Sequence, residues 1–186
     1  KMACGLGTRV YLLDIDLDRL RYLSDVLPEN CFLLMSSPAT IRHLLPKADV
    51  VVGAVLIPGG KTPTLVTREM LKTAKKGAVL VDVAIDQGGC FETSRETTHA
   101  DPIYTVDDVV HYAVSNMAGA LPRTSTLALT NATLPYALQI AGKGWKQSMR
   151  DNPEIRRGAN VVRGKITHAG VAEVLGAEPT PIDTLL

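Results

Sequence analysis

Short apolar runs alternate with amphipathic segments along the first two thirds of this 186-residue chain. The runs at residues 10–14, 31–34, 49–54 and 78–83 have the length of strands, and segments with helical spacing or helix-capping residues separate them. This alternation is typical of βαβ units around a parallel sheet. The uninterrupted apolar character of residues 49–54 further predicts a sheet that is covered on both faces.

The rest of the chain predicts shorter elements and one long helix. Residues 1–4 have the character of a helix end, stopped by Gly5 and Gly7. The later elements are strands at 104–106 and 111–114, a helix over 124–141 bent at Pro135, a hairpin pairing 160–162 with 165–167, and a short helix over 170–175. The change of character near residues 121–123 predicts a boundary between residues 1–122 and residues 123–186.

The composition restricts the partners of the chain. A formal net charge of +1, without a basic run, argues against nucleic acid. No apolar stretch reaches the roughly 18 residues that a membrane-spanning helix needs, so no membrane partner is expected. Cys4, Cys31 and Cys90 form neither a CxxC pair nor a metal-binding spacing, which predicts free thiols in a reducing cytoplasm and no metal site.

Asp14, at the end of the first predicted strand, stands where dinucleotide-binding folds bind a ribose. In a doubly wound Rossmann-type fold, a carboxylate at the end of the second strand accepts hydrogen bonds from the adenosine ribose, about 20 residues after the glycine-rich phosphate loop. Counting back that far passes Lys1, so the first strand and the phosphate loop are expected upstream. A carboxylate here also favours NAD over NADP, because it repels a 2′-phosphate. An equally good interpretation is that Asp14 only caps the following helix.

Segments that follow the predicted strands lie where open α/β sheets bind their ligands. They are residues 14–15, 53–56, 83–86 and 114–117. Asp86 suits a group that faces a cofactor, because burial there can tune its pKa. The simpler alternative is a turn residue that starts the Gly88-Gly89 loop. His99 and His111 are equally ambiguous between packed side chains and catalytic groups.

Taken together, these segments resemble alanine dehydrogenase. The resemblance rests on residues 13–20, 53–59, 81–90 with 92–94, 111–117 and 122–132. These runs include the sequences LDIDLDRL, GAVLIPG and VDVAIDQGGC, and they follow one another in order over almost the whole chain. Runs of this length are far more specific than a lone GxGxxG motif.

The resemblance implies the reversible oxidative deamination of L-alanine to pyruvate and ammonia with NAD, in a homohexamer. It implies that Asp86 is catalytic. It places Asp14 at the adenosine ribose, Arg19 and Ser36 near the adenosine, and Val55 and Leu56 in the cofactor cleft. On the nicotinamide side it implies contacts from Val83, Ala84, Ile85, Asp86, Val114, Ser115, Asn116 and Met117.

Two parts of the family pattern are missing: the glycine-rich phosphate loop and the N-terminal substrate domain. The expected organisation is therefore an incomplete Rossmann-type domain over residues 1–122 and a mainly helical segment of the substrate domain over residues 123–186. The apolar face of that segment is expected to be exposed and prone to aggregation. We expect these 186 residues alone to be inactive and at best to bind NAD weakly. The alternatives are a nucleotide-binding subunit of a transhydrogenase and a binding fragment without catalysis.

Overall fold

The computed structural model describes residues 1–57 and 60–186, so that Pro58 and Gly59 of the predicted loop lie outside the described residues. The strands are β1 (Val10–Asp14), β2 (Cys31–Met35), β3 (Val50–Gly53), β4 (Val79–Asp82), β5 (Ile103–Val106), β6 (Val109–Tyr112), β7 (Val161–Val162) and β8 (Lys165–Ile166). The helices are α1 (Met2–Gly5), α2 (Leu17–Val26), α3 (Pro38–Leu44), α4 (Arg68–Leu71), α5 (Pro122–Asp151), α6 (Pro153–Arg157) and α7 (Ala169–Val174).

The predicted parallel α/β architecture is confirmed. Strands β1 and β2 form one parallel pair, in which Val10 lies opposite Cys31. A second sheet has the order β3-β4-β6-β5; its first three strands are parallel, and β5 pairs antiparallel with β6. The C-terminal ends of β4 and β6 therefore lie side by side at one edge of this sheet.

Local sequence explains where two of the helices begin. The Asp16 carboxylate accepts hydrogen bonds from the backbone N–H groups of Asp18 and Arg19, so Asp16 caps α2. The Ser37 hydroxyl accepts from the backbone N–H of Thr40, and Pro38 occupies the first turn of α3. Both arrangements satisfy backbone donors that have no partner within the helix.

The main core packs against one face of the second sheet. Its buried members include Leu71, Leu80 and Val109, none more than 1% exposed. The expectation that residues 49–54 are covered on both faces is wrong, because Val50 and Val52 are 58% and 60% exposed. Strand β3 is the first strand of its sheet, and its side chains alternate between the core and the open face.

Two predicted elements differ in detail. The second short strand covers Val109–Tyr112 rather than residues 111–114, because a two-residue turn with positive φ at Asp107 and Asp108 lets it pair with β5 at once. The long helix extends to Asp151, and its backbone leaves helical geometry at Gly144 (φ 77°) rather than at Pro135. Glycine adopts that φ at little steric cost, which explains the position of the break.

The C-terminal hairpin is as predicted. Strands β7 and β8 pair antiparallel across Arg163 and Gly164, both of which have positive φ. Over the part of the chain that the structure describes, no helix is both long and apolar enough to cross a bilayer.

Candidate active site

A cavity of about 210 Å³ lies where β4 and β6 end. Residues 83–86 leave β4 and residues 114–117 leave β6, and the parallel pairing of the two strands brings these segments together. The residues that line the cavity are Val83, Asp86, Val114, Asn116, Met117 and Ala118. The cavity is therefore mostly apolar, with one carboxylate at its wall.

Asp86 lies in a 3₁₀ turn, Ile85–Gln87, and its side chain is exposed. Its Oδ1 accepts a hydrogen bond from the Ser115 hydroxyl at 2.8 Å. Among the described hydrogen bonds, the Asp86 carboxylate accepts none from the backbone N–H groups that follow it, which the turn interpretation would require. Asp82 makes a bond of that kind, because its Oδ1 accepts from the backbone N–H of Ala84. The backbone of Asp86 lies in the local turn, but its side chain contacts the neighbouring strand end, and that contact is set by the tertiary structure.

The segment that carries Ser115 is anchored from behind. Val114 is fully buried and bridges to Thr97, and the backbone N–H of Ser115 donates to the Thr97 carbonyl at 3.1 Å. The next residue, Asn116, has a φ of 53°, and its carbonyl oxygen lies 3.0 Å from His99 Nε2. His99 therefore supports the backbone beside the cavity.

Asp82, at the end of β4, is the main polar residue beneath the site, and we did not predict a role for it from the sequence. It is 1% exposed. Its carboxylate accepts hydrogen bonds from the backbone N–H of Ala84 at 3.1 Å, from the backbone N–H of Cys90 at 2.9 Å, and from the Ser94 hydroxyl. These bonds hold both ends of the segment that carries Asp86. The same local pattern, an aspartate that ends an apolar strand, occurs at Asp14, so the sequence gives no signal that singles out Asp82 as buried.

Cys90 is fully buried and packs beside Asp82. Its thiol lies 3.4 Å from Asp82 Oδ1 and donates to it. Burial, followed by the charge of Asp82 and this hydrogen bond, raises the pKa of Cys90 to about 12. The thiol consequently stays protonated at neutral pH and acts as a hydrogen-bond donor, not as a nucleophile.

His111, which was ambiguous in the sequence, is a packed residue on β6. It is 1% exposed, and its ring stacks on Tyr104 with centroids 4.9 Å apart. Nδ1 lies 3.1 Å from the Val109 carbonyl oxygen, and Nε2 lies 2.8 Å from the Thr93 hydroxyl. Burial lowers the pKa of His111, which favours the neutral ring.

At the ends of β1 and β2, Asp14 and Ser36 are neighbours. The backbone N–H of Ser36 donates to the Asp14 carbonyl at 2.8 Å, and Asp14 Oδ1 accepts from the Asp16 N–H at 3.0 Å. Asp16, not Asp14, caps α2. The capping interpretation of Asp14 is therefore wrong. Arg19 is exposed and lies over the Tyr22 ring.

The structure unites only part of the predicted set. Val83, Asp86, Val114, Asn116 and Met117 line one cavity, and Ser115 joins them through its bond to Asp86. Ala84 and Ile85 are both 8% exposed, so their side chains belong to the interior. Besides Ala84, Ile85 and Ser115, the predicted residues that do not line this cavity are Asp14, Arg19, Ser36, Val55 and Leu56.

Comparison with known proteins agrees with this architecture. The family profile described as "Alanine dehydrogenase/PNT, C-terminal domain" matches residues 1–169. The alanine dehydrogenases of Lysinibacillus sphaericus and Bacillus subtilis (strain 168) are each 52% identical to the chain, over all of this chain and 50% of their own lengths.

Solved structures give the same result. A structure named L-alanine dehydrogenase superimposes with a TM-score of 0.81 at 42% identity, over 94% of this chain and 48% of that one. A transhydrogenase from Sinorhizobium meliloti gives 0.59 at 29% identity, over 67% of this chain and 35% of that one. The chain thus spans about half the length of the curated relatives that it matches. From its sequence and its fold, the chain belongs to the alanine dehydrogenase/PNT C-terminal domain family.

Proposed function

We propose that this chain is the nucleotide-binding half of an NAD-dependent L-alanine dehydrogenase, which interconverts L-alanine with pyruvate and ammonia. The observation that carries the proposal is the Asp86 carboxylate at the wall of an apolar cavity, where two parallel strands end. Open α/β sheets bind their ligands at this edge. The half-length match to proteins named alanine dehydrogenase supports the choice of reaction.

The residues around the cavity fit a nicotinamide ring. Val83, Val114 and Met117 offer apolar surface for a flat ring, and Asn116 adds a polar group at its edge. When bound, NAD supplies the hydride acceptor for the Cα hydrogen of alanine. The backbone of Ala84 and Ile85 completes this side of the site in the proposal, because their side chains are buried.

At the other end of the cofactor, Asp14 accepts hydrogen bonds from the adenosine ribose in this proposal. Asp14 and Ser36 are joined through their backbones at the ends of β1 and β2, and Arg19 follows on α2. Val55 and Leu56 extend the cleft beyond β3; the 71% exposure of Leu56 leaves its side chain available for a ligand. A carboxylate at Asp14 disfavours a 2′-phosphate and therefore favours NAD.

Asp86 is the catalytic residue in this proposal. Oxidation of the amine leaves a cationic iminium group, and a carboxylate fixed beside it stabilises that charge. The same oxygens can orient the water that hydrolyses the imine, because a carboxylate accepts hydrogen bonds from water.

We further propose the division into residues 1–122 and residues 123–186, with a strand and a phosphate loop supplied from upstream. Within the described residues, β1 pairs only with β2, and β3 pairs only with β4. A parallel strand between β1 and β3 would join the two sheets in the order of a dinucleotide-binding fold. The exposed Val50 and Val52 offer apolar surface for a covering element. A homohexamer of the complete protein remains part of the same proposal.

A chimaera tests the proposed activity. The part of the Bacillus subtilis alanine dehydrogenase upstream of its matching half would be joined to Lys1 of this chain. We expect reduction of NAD that depends on L-alanine, followed by the absorbance of the reduced nicotinamide. The isolated chain should show no turnover, because in this proposal the phosphate loop and the rest of the substrate domain are supplied from upstream.

The variant Asp86→Asn tests the catalytic role of Asp86 in this chimaera, because it keeps the size of the side chain and removes its charge. We expect a loss of at least about a hundredfold in kcat with retained NAD binding. A folded chimaera that binds NAD but does not oxidise alanine would contradict the proposal. Hydride transfer between two nucleotides without any need for alanine would favour the transhydrogenase alternative instead.

A further inference from the structure

The hydroxyl of Ser115 donates a hydrogen bond to the carboxylate of Asp86, from a position 29 residues later in the chain. The Oγ–Oδ1 distance of 2.8 Å lies within the usual range for such a bond. Among the described residues, Ser115 is the only one whose side chain donates a hydrogen bond to the Asp86 carboxylate. If a neighbouring side chain orients the Asp86 carboxylate by a hydrogen bond, that side chain is therefore Ser115.

Asp86 has a fixed backbone and an unconfined side chain. Ala84 and Ile85 are buried just before it, and the 3₁₀ turn closes through a bond from the Gly88 N–H to the Ile85 carbonyl. The Asp86 side chain, in contrast, is exposed at the cavity wall. An exposed carboxylate can rotate among several rotamers, and only some of them direct its charge into the cavity.

Ser115, by contrast, extends from a rigid frame. Val114 is fully buried, and Thr97, to whose carbonyl the Ser115 N–H donates, is 5% exposed. Thr97 is itself tied to the Pro102 carbonyl through its hydroxyl at 3.1 Å. Because the backbone of Ser115 is held in place, its hydrogen bond limits the rotation of the Asp86 side chain.

We propose that Ser115 is a positioning residue, which holds the Asp86 carboxylate in one orientation towards the substrate. This inference rests on the proposed function and changes the role of Ser115 from a contact of the cofactor to a support of the catalytic group. The two roles of Ser115 differ in the kinetic constant that a substitution would change. Loss of a positioning residue lowers kcat, whereas loss of a cofactor contact weakens NAD binding.

The variants Ser115→Ala and Ser115→Thr, made in the alanine-oxidising chimaera, test the role. We expect Ser115→Ala to lower kcat about tenfold, the order of one hydrogen bond to a charged group, with the KM for NAD unchanged. Ser115→Thr keeps a hydroxyl and should restore most of the loss. Ser24→Ala, which removes a serine hydroxyl that bonds to the Arg21 carbonyl on α2, is the control and should turn over like the parent.

Two results would overturn the inference while leaving the proposed function intact. One is a Ser115→Ala chimaera with the kcat of the parent. The other is a raised KM for NAD at unchanged kcat, which would make Ser115 a contact of the cofactor. A parent chimaera without activity towards alanine would instead refute the proposed function, and with it the role of Ser115.

Discussion

Asp82 and Asp86 lie four residues apart and have opposite environments, one buried and one exposed. Asp82 is 1% exposed and accepts hydrogen bonds from backbone and side-chain donors, whereas Asp86 is exposed at a cavity and accepts one from Ser115. A buried carboxylate is tolerated only when it is well bonded, so Asp82 serves the structure. The exposed one, at the edge where ligands bind, is the residue to which we assign the chemistry in our proposal.

The thiol of Cys90 gives a pH-dependent prediction. Since its pKa is raised from 9.0 to about 12, the folded chain should resist alkylation at Cys90 near pH 8. Iodoacetamide should label the half-buried Cys31 first and reach Cys90 only after unfolding in urea, as followed by mass spectrometry of peptides. Labelling of Cys90 in the folded chain at the rate of the unfolded one would contradict the assignment.

The same shift affects stability. A thiol that holds its proton more tightly in the folded state stabilises that state fully below its ordinary pKa of 9.0. This contribution declines as the pH rises from there towards about 12, because the unfolded chain releases the proton first. The contribution of Cys90 to stability is thus greatest at neutral pH and is lost on the alkaline side.

Among the elements, the end of β3 meets the loop after β4 at unusually close range. A Cβ added at Gly53 would overlap the sulfur of Cys90 and lie 2.8 Å from Phe91 Cζ. Cys90 and Phe91 are both in the buried core, so neither can move aside easily. The contact requires glycine at the strand end.

Gly53→Ala should therefore destabilise the chain by about 1–3 kcal/mol, the cost of overpacking a dense core. The measurement is the midpoint of urea unfolding. Gly5→Ala is the matched control, because an added Cβ there has nothing within 4 Å. Equal midpoints for the two variants would show that the core can adapt at Gly53.

The molecule as a whole leaves much apolar surface uncovered. On α5, Leu127, Leu134 and Leu138 recur at helical spacing and are 56%, 48% and 63% exposed. Val50 and Val52 are similarly exposed on β3. Surface of this kind is typical of a contact with another part of the protein, and it is prone to self-association when left open.

We expect the isolated chain to associate at rising concentration, as measured by light scattering. The double variant Leu127→Lys with Leu138→Lys should reduce the association markedly, because charge opposes the burial of that helix face. Thr126→Lys with Thr130→Lys adds the same charge at exposed polar positions of α5 and should have a smaller effect. An equal reduction by both pairs would indicate that net charge, and not the leucine face, controls association.

Local sequence by itself determined most of the elements and the fold class. The strands β1 to β4 and the β7–β8 turn follow from periodicity and turn chemistry, which act over a few residues. The cap of α2 was misplaced, because Asp16 and not Asp14 provides it. Resemblance, and not pattern, singled out Asp86, because an aspartate that follows a strand and precedes glycines has the same local pattern in a simple turn.

Only the tertiary structure decided which of these residues meet. The bond from Ser115 to Asp86, the burial of Asp82 and the contact of Gly53 with Cys90 each join distant positions of the chain. Such contacts depend on the register of the strands and the path of the loops. The local periodicity of apolar residues carries no information about either. The same reason explains the open face of β3. An apolar run predicts a strand whose two faces are buried, but burial depends on whether another element packs against each face.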